Sequence, residues 1–180
     1  MDGSGWGTAV MKTLIIASLC LGAFVIQSPL FGIGPSEAQI APPEALITRS
    51  KNIVLFRITD AKYNRGGVIY GYQVIRVLKG SESAGNRGDI RGSIQDLFSM
   101  EIYRDHEDLR FWDVGIGRSK VGTDGKIRPN FSVGTEYLAF LDPPYHIKSF
   151  EIVRVFDGTR EENDKWFSFV VETIQQQAGK

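Results

Sequence analysis

Residues 52–59 read Asn-Ile-Val-Leu-Phe-Arg-Ile-Thr, and this run decides the fold class. β-branched and aromatic residues are enriched in strands, and the polar Asp60 that follows is typical of a strand end. A turn cluster at residues 64–67, Asn-Arg-Gly-Gly, separates this run from a second strand-like stretch, Val68 to Leu78. The two stretches together predict a β-hairpin.

Apolar residues continue along both faces of the second stretch. Strict alternation would place one set on one face of the sheet: Tyr70, Tyr72, Val74 and Leu78. It would place a second set on the opposite face: Ile69, Ile75 and Val77. The first run, residues 52–59, is apolar enough that we expect it to face apolar surroundings on both sides.

Three more strands are predicted, at residues 89–94, 134–141 and 149–155, with Pro143-Pro144 ending the fourth. A short helix is predicted near residues 45–51, after Pro42-Pro43. Residues 160–177 predict a C-terminal amphipathic helix, because Thr159 and Glu162 form a capping-box pattern and Trp166, Val170 and Ile174 form an apolar stripe. The fold class is mainly β with flanking helices.

Residues 95–131 form a long excursion without regular strand or helix patterning. Asp124-Gly125, between Val121 and Ile127, predicts a two-residue turn and a small hairpin within it. Loops carried on a rigid scaffold are the usual seat of function, so we expect specificity to lie in this excursion.

Three short motifs resemble the netrin-module and tissue-inhibitor-of-metalloproteinases-like (TIMP-like) superfamily, over roughly residues 45–155. They are Val54-Leu55-Phe56-Arg57-Ile58, Tyr72-Gln73-Val74 leading to Val77-Leu78-Lys79-Gly80, and Gly134-Thr135-Glu136-Tyr137-Leu138-Ala139-Phe140. The resemblance implies a five-stranded OB-like β-barrel with flanking helices, and bacterial members of the group are exported. Its metalloproteinase inhibitors present a disulfide-bonded N-terminal cysteine to the target's zinc. This chain lacks that cysteine, so no functional residue is carried over.

The first 38 residues resemble a secretory signal peptide with upstream residues. Lys12 precedes the uncharged run Leu14 to Ile26, and Ser36-Glu37-Ala38 offers small residues for cleavage before Gln39. We therefore expect residues 39–180 to form one domain that is periplasmic or extracellular and not inserted in the membrane. Two alternatives remain: an uncleaved segment would anchor the protein in the membrane, and Cys20 could accept a lipid. Met11 is a second possible start.

Composition narrows the possible functions. The chain has 21 Lys and Arg against 21 Asp and Glu, so no overall positive field favours nucleic acid. Cys20 is the only cysteine, and it lies in the segment expected to be removed. Disulfides, thiolate nucleophiles and Cys-ligated zinc are therefore excluded from the domain. No cofactor motif is found.

Candidate site residues cluster in and near the excursion. Five could bind a partner, with core filling as the alternative for the aromatic ones: Tyr103, Arg110, Phe111, Trp112 and Tyr145. Three could hold a divalent cation, although a solvated charged loop is the simpler interpretation: Asp105, His106 and Asp108. His146 is a possible general base.

We therefore expect an exported, non-catalytic domain that binds a protein or peptide partner. One alternative is a metal-dependent or hydrolytic enzyme centred on His106 and His146. Another is a structural component of the cell envelope.

Overall fold

Five antiparallel strands form one sheet in a computed structural model, which describes residues 35–93, 106–154 and 164–179. The sheet order is β3-β2-β1-β4-β5. The strands are β1 (Ile53–Asn64), β2 (Gly67–Lys79), β3 (Arg87–Gly92), β4 (Glu136–Phe140) and β5 (Phe150–Arg154). The predicted β1–β2 hairpin is confirmed, with eleven paired positions from Ile53–Lys79 to Asn64–Gly67.

The β1–β2 pairing has three register shifts, and the one at Ile75 changes which side chains share a face. Leu55 pairs with Arg76 and Phe56 with Val74, so Ile75 is an extra residue on β2. The alternation therefore shifts, and Val77 joins the face of Val74 while Leu78 faces the other side. The faces predicted for these two residues were wrong for this reason.

Within the described ranges, three α-helices and one 3-10 helix accompany the sheet: α1 (Glu37–Ile40), α2 (Pro43–Arg49), the 3-10 helix (Leu109–Trp112) and α3 (Lys165–Ala178). The cap of α3 is Asp164, whose carboxylate accepts from the Phe167 N–H at 2.8 Å. The expected start near Thr159 lies outside the described residues. Among the described helices, none is both long and apolar enough to cross a membrane.

Each face of the sheet carries its own core. One, the aromatic core, is built mainly from alternate residues of β1, β2 and β4 together with Phe131 and Phe150. The other, the helix-side core, lies between the sheet and helices α2 and α3, with Trp166 fully buried at its centre. Val54, Phe56 and Ile58 face the first core and Ile53 and Leu55 the second, which explains why β1 is continuously apolar.

The expected closed barrel is not formed by the described residues, in which β3 and β5 remain the edges of an open sheet. The segment from Gly117 to Phe131 contacts both edges instead. Ser119 N–H donates to the Ile147 carbonyl next to β5, and Ser93 N–H donates to the Pro129 carbonyl next to β3. Irregular backbone thus occupies the place where direct strand pairing would close a barrel.

Candidate functional site

Asp108 and Arg110 form an ion pair and hydrogen bonds with each other at the surface. The Asp108 carboxylate accepts from the Arg110 backbone N–H at 2.9 Å, which begins the 3-10 helix, and it also pairs with the Arg110 guanidinium. These hydrogen bonds lower the pKa of Asp108 to about 2. The Asp108 carboxylate is therefore already paired with Arg110. The predicted metal ligand Asp105 lies outside the described residues.

The aromatic pair after Arg110 packs inward. Phe111 is 2% exposed, with its ring edge-on to Trp166 at 5.5 Å. Trp112 is half-buried against Trp166 and Phe169, and its indole N–H donates to the His106 carbonyl at 3.1 Å. Phe111 is therefore part of the core, the alternative that its residue type left open, and one face of Trp112 is occupied by α3. Tyr103 lies outside the described residues.

A buried polar cluster lies behind these aromatic rings. Its members come from the excursion, from the segment around β5 and from the cap of α3: His106, Arg118, Lys148, Glu151 and Asp164. His106 is 3% exposed, and its Nδ1 lies 2.7 Å from Asp164 Oδ2 while its Nε2 lies 4.0 Å from Glu151 Oε2. One imidazole thus stands between two carboxylates.

These two carboxylates decide the charge of His106. Burial lowers its pKa, but the hydrogen bond to Asp164 and the charges of Asp164 and Glu151 outweigh burial and raise the pKa to about 9. At neutral pH the ring is therefore a buried cation. Within the described residues Nε2 has no hydrogen-bond partner, so no hydroxyl nucleophile is bound to it there.

Lys148 attaches the excursion to the sheet. Its ammonium is buried and donates to the Phe111 carbonyl at 2.5 Å and to the Ile116 carbonyl, and it lies over the Phe111 ring. Burial lowers its pKa to about 8, against the opposing charges of Glu151 and Asp113. Arg118 acts similarly, because its guanidinium binds the Asn130 side-chain oxygen at 2.9 Å and lies over the Tyr137 ring.

Both ring nitrogens of His146 are used by the backbone. Its Nε2 lies 2.9 Å from the Ala41 carbonyl, and its Nδ1 accepts from the Lys148 N–H at 3.0 Å. Burial lowers the pKa of His146 to about 4, so the ring is neutral with its proton on Nε2. A base in this state has no free lone pair for a substrate proton, and the arrangement favours a structural role.

His106 and Asp108 do not converge on one point. His106 is bound by Asp164, whereas Asp108 is bound by Arg110. In the described ranges, no group of three or more His, Cys, Asp or Glu side chains has the arrangement of a metal site. The imidazolium pairs with Asp164 and lies near Glu151, whose charge also acts on Lys148, and the Arg118 backbone N–H donates to Glu151. The cluster around His106 therefore belongs to the fold.

An open groove lies beside Tyr145, the remaining predicted binding residue. This Tyr145 groove has a volume of about 250 Å³. Its lining residues are Gln39, Gly125, Lys126, Ile127, Pro143, Pro144 and Tyr145. The Asp124-Gly125 turn forms one wall, since Gly125 adopts φ 72° and the Val121–Ile127 bridge closes the predicted hairpin. The excursion therefore contributes to a site, through its turn rather than its aromatic pair.

Gln39 fixes the floor of the Tyr145 groove. Its amide donates to the Gly125 carbonyl at 2.8 Å, and its own carbonyl accepts from the Ile147 N–H at 3.1 Å. The Tyr145 ring packs edge-on against Phe150 at 4.8 Å. Burial, together with Asp142, raises the pKa of the Tyr145 hydroxyl, which therefore remains a donor. Sequence reasoning found Tyr145 but interpreted Pro143-Pro144 only as a strand end.

A second groove lies on α1 and the start of α2, with a volume of about 480 Å³. It is lined by Glu37, Ala38, Ile40, Ala41, Pro42 and Val114. Val114 is 60% exposed, and none of the described residues that line this groove is aromatic. The Tyr145 groove is better suited to recognition, because it combines an aromatic ring and proline rings with polar groups.

Comparison with known proteins leaves the family of this chain open. A scan against models of protein families gave no match, and a search of curated proteins gave none either. The grooves and the buried polar cluster are therefore the features of the molecule that bear on its function.

Proposed function

We propose that this chain is exported and that its domain binds a peptide segment of a protein partner in the Tyr145 groove. The observation that carries the proposal is the groove itself, in which the Tyr145 ring and two exposed prolines surround an open apolar space. Tyrosine supplies a large contact area at low conformational entropy, which is why it is enriched at interface hot spots.

The groove also indicates what kind of peptide it accepts. Ile127, Pro143 and Pro144 offer apolar contacts to one buried side chain of the ligand. Lys126 is exposed at the rim and favours an acidic residue beside that anchor. The proposed ligand is therefore an extended segment with an apolar anchor and an adjacent Asp or Glu.

The superfamily resemblance belongs to the same proposal. Five antiparallel strands and flanking helices support it, whereas the open sheet edges do not. Non-catalytic binding and export are parts of the same proposal.

A random peptide library displayed on phage and selected on the purified protein supplies ligands for the test. Lys126→Glu should lower the affinity for the selected peptides by about tenfold, since it reverses the charge at the rim of the groove and changes no side chain of either core. Arg65→Glu makes the same change at the β1–β2 turn, where Arg65 is exposed, and should leave affinity unchanged.

Tyr145→Ala provides the second arm, with Tyr63→Ala as its control, because Tyr63 is 72% exposed near the hairpin turn. Loss of binding in Tyr145→Ala and Lys126→Glu, with both controls unchanged, would support the proposal. Peptides that bind all four variants equally would refute the groove as the site. The same variants apply to any partner captured from the exported fraction.

A further inference from the structure

A polar cleft on the β1–β2–β3 part of the sheet is separate from the Tyr145 groove. Its volume is about 220 Å³. It lies among Asp60 on β1, Gly71 and Tyr72 on β2, and Arg87, Gly88 and Asp89 on β3. Strand pairing sets this arrangement, because Gly71 pairs with Asp60 on one side and with Asp89 on the other. Two carboxylates therefore flank a residue that has no side chain.

At the two glycines in the cleft, a side chain is excluded by lack of space and not by the backbone conformation. Neither Gly71 nor Gly88 has a positive φ, so other residues could adopt their backbone geometry. A Cβ at Gly71 would lie 2.3 Å from Asp60 Oδ2, and one at Gly88 would lie 2.5 Å from the Tyr72 hydroxyl. A larger residue at Gly71 would displace the Asp60 carboxylate and occupy the space between Asp60 and Asp89, whereas one at Gly88 would displace the Tyr72 hydroxyl.

The charged side chains that line this cleft differ in how far their hydrogen-bonding capacity is already used. Asp60 accepts from the Thr59 hydroxyl at 3.0 Å and lies 3.7 Å from the Lys62 ammonium. Among the described residues, none forms a side-chain hydrogen bond or ion pair with Arg87 or Asp89, and both are exposed. A guanidinium offers five donors and a carboxylate only acceptors, so the cleft presents both kinds of group to a ligand.

The mixture of charges selects the ligand class. A lone anion would meet Asp60 and Asp89, and a lone cation would meet Arg87 and Lys62. A neutral ring with several hydroxyl groups can donate to the carboxylates and accept from the guanidinium at once. A volume of about 220 Å³ suits one such ring, with the rest of the ligand in solvent. We propose that the polar cleft binds one ring of a neutral oligosaccharide.

Amide chemical shifts of the 15N-labelled protein test the proposal, with cellotetraose, chitotetraose and mannotetraose as probes. At least one probe should shift the Gly71 and Gly88 amides in a saturating manner at millimolar concentration. Asp89→Asn should weaken this binding by about tenfold, because it replaces one acceptor with a donor. Asp113→Asn makes the same change at an exposed site outside the cleft and should bind like wild type.

Three results would overturn the proposal. One is the absence of saturating shifts at Gly71 and Gly88 with all three probes up to about 50 mM. Another is a set of shifts confined to other parts of the sheet. The third is equal affinity of wild type and Asp89→Asn, whose spectra report in the same experiment that the fold is intact.

Discussion

A single imidazole, His106, joins three separate parts of the chain. It leads into the 3-10 helix, pairs with Asp164 at the cap of α3, and lies 4.0 Å from Glu151 on β5. Burial of this many charges is tolerated because they oppose one another in sign. Removing one member leaves the others unpaired, so the cluster is a strong determinant of stability.

The contribution of His106 to stability should fall as the pH rises from 6.5 to about 9, and comparison with His106→Gln separates it from the opposite contribution of Lys148, whose pKa is lowered to about 8. Its pKa is about 9 in the folded protein and 6.5 as a free side chain, so the folded state binds the proton more tightly. The resulting stabilisation is fully present below pH 6.5 and is lost as the pH rises through about 9. It amounts to about 3 kcal/mol of unfolding free energy.

Urea unfolding at a series of pH values measures this decline. His106→Gln should be less stable than wild type at pH 6 and should lack the alkaline decline. His146→Gln is the matched control and should retain the decline, because the pKa of His146 is lowered to about 4. Identical pH profiles for wild type and His106→Gln would contradict the assignment.

At the scale of elements, Lys148 connects the excursion to the sheet. Its ammonium donates to the Phe111 and Ile116 carbonyls. Lys148→Met keeps an apolar stem of similar length but removes the donor. We expect a loss of about 3 kcal/mol in unfolding free energy, together with faster amide exchange in residues 106–119.

Chemical denaturation and hydrogen exchange measure these two effects of Lys148→Met. Lys120→Met is the control, since Lys120 is exposed, and should change stability by less than about 0.5 kcal/mol. Equal stability of the two variants would show that the buried ammonium contributes nothing to the attachment.

The first turns of α3 depend on Trp112. Its ring packs against Trp166 and Phe169, with centroids 5.9 and 5.2 Å apart. Trp112→Ala should lower stability by about 3 kcal/mol and should accelerate exchange in α3 more than in the β1–β2 hairpin. Leu109→Ala is a suitable control, because Leu109 is exposed on the same 3-10 helix. Uniform acceleration throughout the protein would instead indicate global destabilisation.

At the scale of the whole molecule, the predicted cleavage after Ala38 divides α1. The Ser36 N–H donates to Gln39 Oε1, and the Gln39 N–H donates to the Ser36 carbonyl, both at 2.8 Å. A chain beginning at Gln39 loses these bonds and should be less stable than one beginning at Pro35, by about 1 kcal/mol.

Urea midpoints of the two truncated chains test this expectation. In the chain that begins at Pro35, Gln39→Ala should lower the free energy of unfolding by at least as much, because it also removes the hydrogen bond to the Gly125 carbonyl. Equal midpoints for the two chains would show that residues 35–38 contribute nothing to the domain. The intact mass of the protein isolated from the cells that produce it identifies its N-terminus independently.

Local sequence patterns predicted the elements because each depends on nearby residues. The apolar run at Ile53–Ile58, the turn at residues 64–67 and the stripe around Trp166 led to β1, the hairpin and α3. The shift at Ile75 was not predictable, since a bulge is set by pairing with another strand and not by the strand's own composition.

The sequence by itself determined five strands, a C-terminal helix and a thiol-free domain, because hydrophobic periodicity and composition act locally. Only the tertiary structure decided that Phe111 is core, that His106 meets Asp164 and Glu151, and that Gln39 lies against the Asp124-Gly125 turn. The partners in these last two contacts are between 45 and 86 residues apart in the chain. Contacts over such separations arise from packing and burial of the whole chain, which no short pattern records.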